Sequence, residues 1–531
     1  LPKHMSQPVY IVRQEKEVEK SAFSHNLVAI QAIAELIKST FGPKSMQKLL
    51  FDKSASAPTI TNDSAKILEE IEISHPGGKI ILKQAKANKK DIGDGTTRLI
   101  LFTSALMTEA SELINQGYHP RTIYNGYFKA KEFAIKSLKE LATNFDINDK
   151  TMLKNIASTT LASRNIPSTI REKFAGILAE AVENVKQQFG DRWLVDLDDI
   201  QTVRKMGDEA GSTELIKGLV IDKELLHTMM PSEVRNAKIA ILDAALEIVK
   251  TNFDAQVQIQ NSQDIQAFKD KEASILKGLV DAIIKAGANV VFCQKGIDEG
   301  AQRFLYQNGI FAVRRVKKSD MWRIAKATGG KVINDIKNIT PEDLGKADLV
   351  IERKLGNDRL VFIEGCKDPK SLSILIRGFK FTESEADEAI KNALNSLRLA
   401  IENPFYIAGG GAIFAELAER VSNFAKTLST KEQIVTESYA AALERIPLIL
   451  AENGGLNLLD MKSELYAAHK KPEGLNFGVD FEKKGVSDMI TKGIIEPLEV
   501  TMQIIKASTE LTNTLLNIDE MIDKKEFMKN K

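Results

Sequence analysis

At 531 residues the chain exceeds what one hydrophobic core usually serves, so several domains are expected. Its 73 Lys and Arg against 72 Asp and Glu leave a net charge of +1, which carries no footprint for nucleic acid. No apolar run approaches the ~18 residues that a membrane span needs, no secretory signal is visible, and the two cysteines, Cys293 and Cys366, make neither a disulfide framework nor a CxxC site. A cytoplasmic location without membrane contact is the expectation. The six histidines lack HxxxH spacing, so zinc is not expected either.

From Ser21 to Ser39 the pattern is helical, with Ile30, Ile33, Ala34 and Ile37 on one face, and Gly42-Pro43 ends it. Taken alone, Thr40 to Lys44 is either a helix terminator or a loop facing phosphate. Thr61-Asn62-Asp63-Ser64 then precedes a short helix through Ile67 and Leu68, as an N-cap or an anion site. A helix over about Gly78 to Asn88 leads into Gly93-Asp94-Gly95-Thr96-Thr97. Behind that stretch, Leu99, Phe102, Leu106 and Leu113 mark one face of another helix. Free amides at its start favour a phosphate, glycines permit close approach, and Asp94 offers a hard oxygen for Mg²⁺. A capped turn before a core helix fits the bare motif equally well. His119-Pro120 opens one more helix to about Leu141, so the first 145 or so residues read as helical, with three turns able to meet.

Helical segments continue to about Gln188, and strands are expected at Gly218–Asp222 and Ala237–Leu242. Thr251 to Lys285 holds alternating Val257 and Ile259 and then a polar helix from about Ser262. Asn289 to Cys293 is a buried-strand candidate, after which helix and strand alternate, giving an α/β block. A strand at Leu372–Arg377 and a helix over about Glu383–Ile401 lead to Gly409-Gly410-Gly411, and all-helical sequence is expected from there to the end. Neither GxGxxG with its Rossmann context nor the Walker pattern occurs. The order helical, mixed, α/β, mixed, helical suits a nested architecture in which both ends build one domain.

Six motifs occur in the order found in group II chaperonins: Gly42-Pro43-Lys44, Thr61-Asn62-Asp63, Gly93-Asp94-Gly95-Thr96-Thr97, Val290 to Gly296, Ala408 to Gly411, and Gly493-Ile494-Ile495-Glu496-Pro497. The chain resembles that family over about residues 15–522. Ala312 to Met321 and Thr340 to Gly345 look archaeal, closer to a divergent thermosome subunit than to a eukaryotic TRiC subunit. The resemblance implies a multi-domain α and α/β fold: a helical equatorial domain from 1–147 and 403–531, a small mixed intermediate domain from 148–216 and 367–402, and an α/β apical domain over 217–366. Thr251 to Lys285 would be its helical protrusion. It further implies an ATP-dependent double ring of paralogous subunits that encloses non-native client proteins, with ATP and Mg²⁺ as cofactors and K⁺ as an optional further ion.

Carried over position by position, the resemblance has Asp94 as the Mg²⁺ ligand. Gly95, Thr96 and Thr97 hold phosphate oxygens, Gly42 and Pro43 line the nucleotide, and Gly410 and Glu496 sit near ribose and base. Asp63 would orient the attacking water, and Arg164 stands where the family commonly has a phosphate-sensing lysine. Several departures matter. The water-activating aspartate of an Asp-Ala-Leu motif is Asn392 in Asn392-Ala393-Leu394, and an amide cannot take a proton. Ser64 replaces a family glycine, Lys66 a threonine, Ser45 a glycine, Gln47 an aspartate and Arg98 the third threonine after Gly95; Lys66 and Arg98 either add cation near the phosphates or point to solvent. The expectation is a chaperonin subunit that binds ATP with weakened hydrolysis; the alternative is a non-hydrolysing structural or client-binding subunit of a hetero-oligomer, which leaves enzyme status open.

Overall fold

The computed structural model describes residues 22–51, 58–164, 166–205, 213–248, 262–356, 358–366, 371–377 and 383–520. The chain divides into two compact units, Leu1–Thr143 with Ile407–Lys531 and the intervening Asn144–Tyr406.

The first unit begins with α1 (Ala22–Lys38), which buries Ile30, Ile33, Ala34 and Ile37. Two short antiparallel strands, Lys48–Leu50 and Thr59–Thr61, follow. Then come α2 (Ser64–Glu70), α3 (Pro76–Asp91), α4 (Thr96–Asn115) and α5 (Pro120–Leu141). Both α3 and α5 start on a His-Pro pair. His75 and His119 accept the backbone N–H two residues on, and the proline fills a first-turn position that needs no N–H. Leu99, Phe102, Leu106 and Leu113 of α4 are all buried, as their spacing predicts.

In the second unit, α6 (Lys150–Ala162), α7 (Ser168–Val185) and α11 (Glu383–Glu402) pack against one another. Beside them strand Leu372–Arg377 lies between Ile200–Lys205 and Glu214–Ile216. The α/β part is a larger sheet whose order runs 311–313, 290–293, 233–242, 345–355, 358–366, 218–221. Its first three strands are parallel and the rest antiparallel. Alternation places Ala240, Leu242, Val291 and Cys293 on one face and Ile239, Ile241, Val290 and Phe292 on the other. Both faces are covered, which is why Val290–Cys293 is apolar throughout. One cover is α8 (Ser262–Lys285) with α9 (Glu299–Gln307), and the other is α10 (Lys318–Thr328).

Returning to the first unit, the chain forms α12 (Ala412–Ala425), α13 (Thr430–Asn453), α14 (Leu458–His469) and α15 (Leu498–Leu516). Phe102 of α4 meets Phe414 and Tyr439 edge-on, at 6.0 and 5.8 Å between ring centres, and Tyr127 meets Tyr439 at 5.4 Å. This aromatic ladder joins the two halves of the sequence in one core.

Two expectations are corrected. The sequence after Gly411 is not all helical. Strands Phe477–Asp480 and Gly485–Asp488 form a hairpin, and Ile495–Pro497 is a further strand. Such short strands offer too few residues for alternation to register. Within Thr251–Lys285, residues 251–261 lie outside those described. The helix that follows is a core helix from Leu276 on, because Leu276, Val280 and Ile283 fall on one face and are buried.

Candidate nucleotide site

Three loop-to-helix turns of the first unit meet through hydroxyl groups. Thr40, just after α1, donates to the Ile37 carbonyl at 2.7 Å and shares a hydrogen bond of 3.2 Å with Ser64. Ser64, the first residue of α2, shares one of 2.6 Å with Thr97 of α4. Asn62 donates to Ser45 Oγ at 3.1 Å, which closes the same cluster from the side of Gly42 and Pro43. The Gly42-Pro43 turn is anchored from behind by α13, whose Asn453 amide donates to the carbonyls of Lys38 and Phe41, both at 2.8 Å.

Helices α4 and α12 begin alike. Gly95 and Gly411 are their N-caps, both at φ 79°, and neither has a side chain to accept from the first-turn amides. Those amides are oriented to receive an anion. A Cβ on Gly95 would come within 2.6 Å of Ile504, so the helix start also packs too closely for a larger residue. Asn88 of α3 braces the loop before α4: its side-chain amide donates to the Asp94 carbonyl at 3.0 Å and its backbone carbonyl accepts from the N–H groups of Ile92 and Gly93. The Gly409–Gly411 loop is braced in turn. Gly409 N–H donates to Ile494 and the Gly410 carbonyl accepts from Val479, each at 2.9 Å. The late hairpin thus serves to hold the glycine loop beside the strand that carries Glu496.

Two of the carboxylates expected in the site carry cations of the chain's own. Asp63 caps α2, accepting from Lys66 N–H at 2.9 Å, and the same oxygen is 3.1 Å from Lys89 Nζ. Glu496 is gripped by both ends of the Arg98 guanidinium, at 2.6 and 3.1 Å, and Arg98 also donates to Thr501 at 3.2 Å. Arg98 therefore neither points to solvent nor stands unpartnered beside phosphates. It lies 5.7 Å above the Phe414 ring, tying α4 to α12 and to the Glu496 strand. Burial opposes its charge, yet Glu496 and the more distant Asp94 hold its pKa above the ordinary guanidinium value.

Gly42, Pro43, Asp63, Asp94, Gly95, Thr96, Thr97, Gly410 and Glu496 all belong to this first unit. Arg164 and Asn392 belong to the second: Arg164 follows α6, its N–H bonded to Leu161, and Asn392 is a buried residue of α11, which packs on α6. Sequence reasoning passed over Asn88, Lys89 and the hydroxyl chain through Thr40, because each contact joins segments whose spacing carries no pattern. Among the described residues no three His, Cys, Asp or Glu side chains gather to hold a metal. Asp94 alone on a glycine-flanked loop nevertheless fits Mg²⁺, which commonly takes one or two carboxylates and completes its shell with phosphates and water.

Residues 33–526 match the profile of the TCP-1/cpn60 chaperonin family. The chain belongs to that family. It is 43% identical over 518 residues to the thermosome subunit beta of Sulfurisphaera tokodaii, covering 97% of this chain and 94% of that one. To the thermosome subunit alpha of Archaeoglobus fulgidus it is 41% identical over 527 residues, 99% and 96% of the two chains. To the thermosome subunit beta of Thermococcus kodakarensis it is 42% identical over 528 residues, again 99% and 96%. The chain is a group II chaperonin with the multi-domain α and α/β chaperonin fold, and its function is ATP-dependent assistance of protein folding in a double ring. No helix among the described residues is long and apolar enough to cross a membrane.

Proposed function

We propose that an ATP-binding equatorial domain, drawn from 1–147 and 403–531, is built on the first unit, and that this subunit binds nucleotide but hydrolyses it slowly. In this reading 148–216 with 367–402 form the intermediate domain and 217–366 the apical domain. Phosphate oxygens lie against Gly95, Thr96 and Thr97, with Asp94 and the phosphates holding Mg²⁺. That ion, when bound, offsets phosphate charge. Gly42 and Pro43 line the nucleotide, Gly410 leaves room for the ring, and Glu496 reaches ribose hydroxyls with the lone pairs that Arg98 does not use. Asp63 orients the attacking water, and Arg164 senses the terminal phosphate with the charge but not the shape of lysine. The meeting of three turns and two uncapped glycine-led helices in one unit supports the binding half of the proposal.

Asn392 carries the other half. It stands where the family motif has its water-activating aspartate, and an amide has nearly the shape of a carboxylate but no basicity. General-base catalysis is typically worth about 10²–10⁴-fold. Assembled rings of the wild type should retain bound nucleotide and turn over slowly, and Asn392→Asp should raise steady-state turnover at least about tenfold. Equal rates for the two, with nucleotide bound in both, would defeat the slow-hydrolysis reading. The relatives are named as alpha and beta subunits, which supports paralogous subunits as ring partners. In such a mixed ring this subunit would contribute structure and contacts to non-native clients in the cytoplasm, leaving most turnover to its neighbours.

A further inference from the structure

We propose that Lys89 is a positioning residue that restrains hydrolysis by holding Asp63, a second brake beside Asn392 and built entirely within the first unit. The proposal rests on the nucleotide-site reading above. It also explains a feature that reading leaves over: a lysine from α3 seated on a carboxylate expected to handle water.

Asp63 is nearly buried, its side chain 8% exposed, and one oxygen takes both the Lys66 N–H at 2.9 Å and Lys89 Nζ at 3.1 Å. The first contact is an ordinary helix cap and fixes where the carboxylate sits. The second adds a full positive charge that the cap does not require. Lys89 lies in the last turn of α3, where the helix dipole also favours a cation. Its side chain is 22% exposed, so the pair is shielded from water on the Asp63 side more than on its own. Lys89 belongs to the same helix as Asn88, whose amide holds the Asp94 carbonyl at 3.0 Å. One turn of α3 therefore grips both the loop that bears Asp94 and the Asp63 cap.

Hydrolysis forms a bond from the water oxygen to the terminal phosphorus. It breaks the bond from that phosphorus to the bridging oxygen, which leaves on ADP with the electron pair, and a water proton passes to a carboxylate or to solvent. A carboxylate that helps this water must turn a lone pair toward it and draw density from the O–H bond. Asp63 does so poorly while an ammonium group 3.1 Å from its Oδ1 holds the nearly buried carboxylate in its helix-capping orientation. Ground-state binding of nucleotide involves the amides of α4 and the Gly409–Gly411 loop instead. Loss of Lys89 should therefore change turnover rather than affinity, which is the pattern of an interaction acting on the transition state.

The experiment uses assembled rings of the full chain, with bound nucleotide and single-turnover ATP hydrolysis measured separately. The variants are Lys89→Gln and Lys89→Arg, each alone and with Asn392→Asp. Lys89→Gln should raise the hydrolysis rate of the Asn392→Asp ring a further fivefold or more and shift ATP affinity less than threefold. Lys89→Arg, which keeps the charge, should leave the rate of that ring unchanged, and Asp63→Asn should erase the gain made by Lys89→Gln. If Asn392→Asp speeds hydrolysis but Lys89→Gln adds nothing, the Lys89 brake is overturned and the Asn392 reading stands. If Lys89→Gln speeds hydrolysis where Asn392→Asp does not, the reverse holds. Rings that bind no ATP in the direct measurement overturn the site reading and this proposal with it. A gain in rate that persists with Asp63→Asn shows that Lys89 acts elsewhere and overturns the proposal alone.

Discussion

Arg98 shows what one substitution does to a site assembled from distant segments. Its partner Glu496 is 398 residues away in sequence, and their side chains are 12% and 16% exposed. Breaking such a pair from one side costs more than removing it whole, because an uncompensated charge is left in a poorly solvated place. Arg98→Met should destabilise the protein by about 3 kcal/mol, and adding Glu496→Gln should recover a good part of that loss. Denaturant midpoints of the two variants compared with wild type test this; a double variant as unstable as the sum of the singles would show that the two groups do not depend on each other. Gly95 offers a second test on the same helix. With φ at 79° and Ile504 at 2.6 Å from an added Cβ, Gly95→Ala should cost about 1–2 kcal/mol and weaken nucleotide binding measured by titration. Neither residue declares its role locally. The Gly-Asp-Gly-Thr-Thr motif was legible as a glycine turn opening a helix, but the destination of the Arg98 side chain depends on which strand the fold lays against α4.

At the scale of elements, helices were legible because their apolar faces recur over many turns, as in α1 with Ile30, Ile33, Ala34 and Ile37. Strand Gly345–Leu355 was not, since Lys346, Asp348, Glu352, Arg353 and Lys354 dilute its apolar positions. The hairpin of Phe477–Asp480 and Gly485–Asp488 was missed for its shortness, yet it braces the Gly409–Gly411 loop through Val479. One charge pair fastens that hairpin to the segment before Glu496: Asp480 lies 2.6 Å from Lys492, and its other oxygen accepts the N–H groups of Glu482 and Lys483. Burial alone would raise the Asp480 pKa, but Lys492, Ser487 and these N–H groups hold the carboxyl well below the usual range. A carboxyl depressed in the folded state stabilises fully above its unfolded value of about 3.9 and loses that contribution as pH falls toward the folded value. Asp480→Asn, which keeps an acceptor and removes the charge, should therefore lower the unfolding midpoint at pH near 7. The gap should narrow as unfolding is repeated below pH of about 4. A gap of constant size across that range would show that packing, not charge, is what the aspartate supplies.

For the whole molecule, helical sequence at both ends around an α/β middle suited a nested order without proving it, and the division into two units follows that order. What no pattern announced is how the inserted unit closes on itself. Its ends lie side by side: Phe145 N–H donates to the Pro404 carbonyl at 3.1 Å, and the rings of Phe145 and Tyr406 meet edge-on at 6.1 Å. The unit also has its own apolar clusters on both faces of its larger sheet, with α6, α7 and α11 packed together beside the smaller one. A segment with a private core and adjoining ends needs little from its flanks to fold. Residues 144–406 expressed alone should therefore unfold cooperatively. The two tryptophans, Trp193 and Trp322, both fall in this segment, so their emission in the full chain reports on it alone. Trp193 sits beneath the Lys186 ammonium at 5.5 Å, a contact wholly internal to the unit. The excised segment should reproduce the emission maximum of the full chain and lose it in one transition on adding denaturant. A red-shifted spectrum without a transition would mean that the inserted unit depends on the helical domain for its fold, despite its closed ends and separate core.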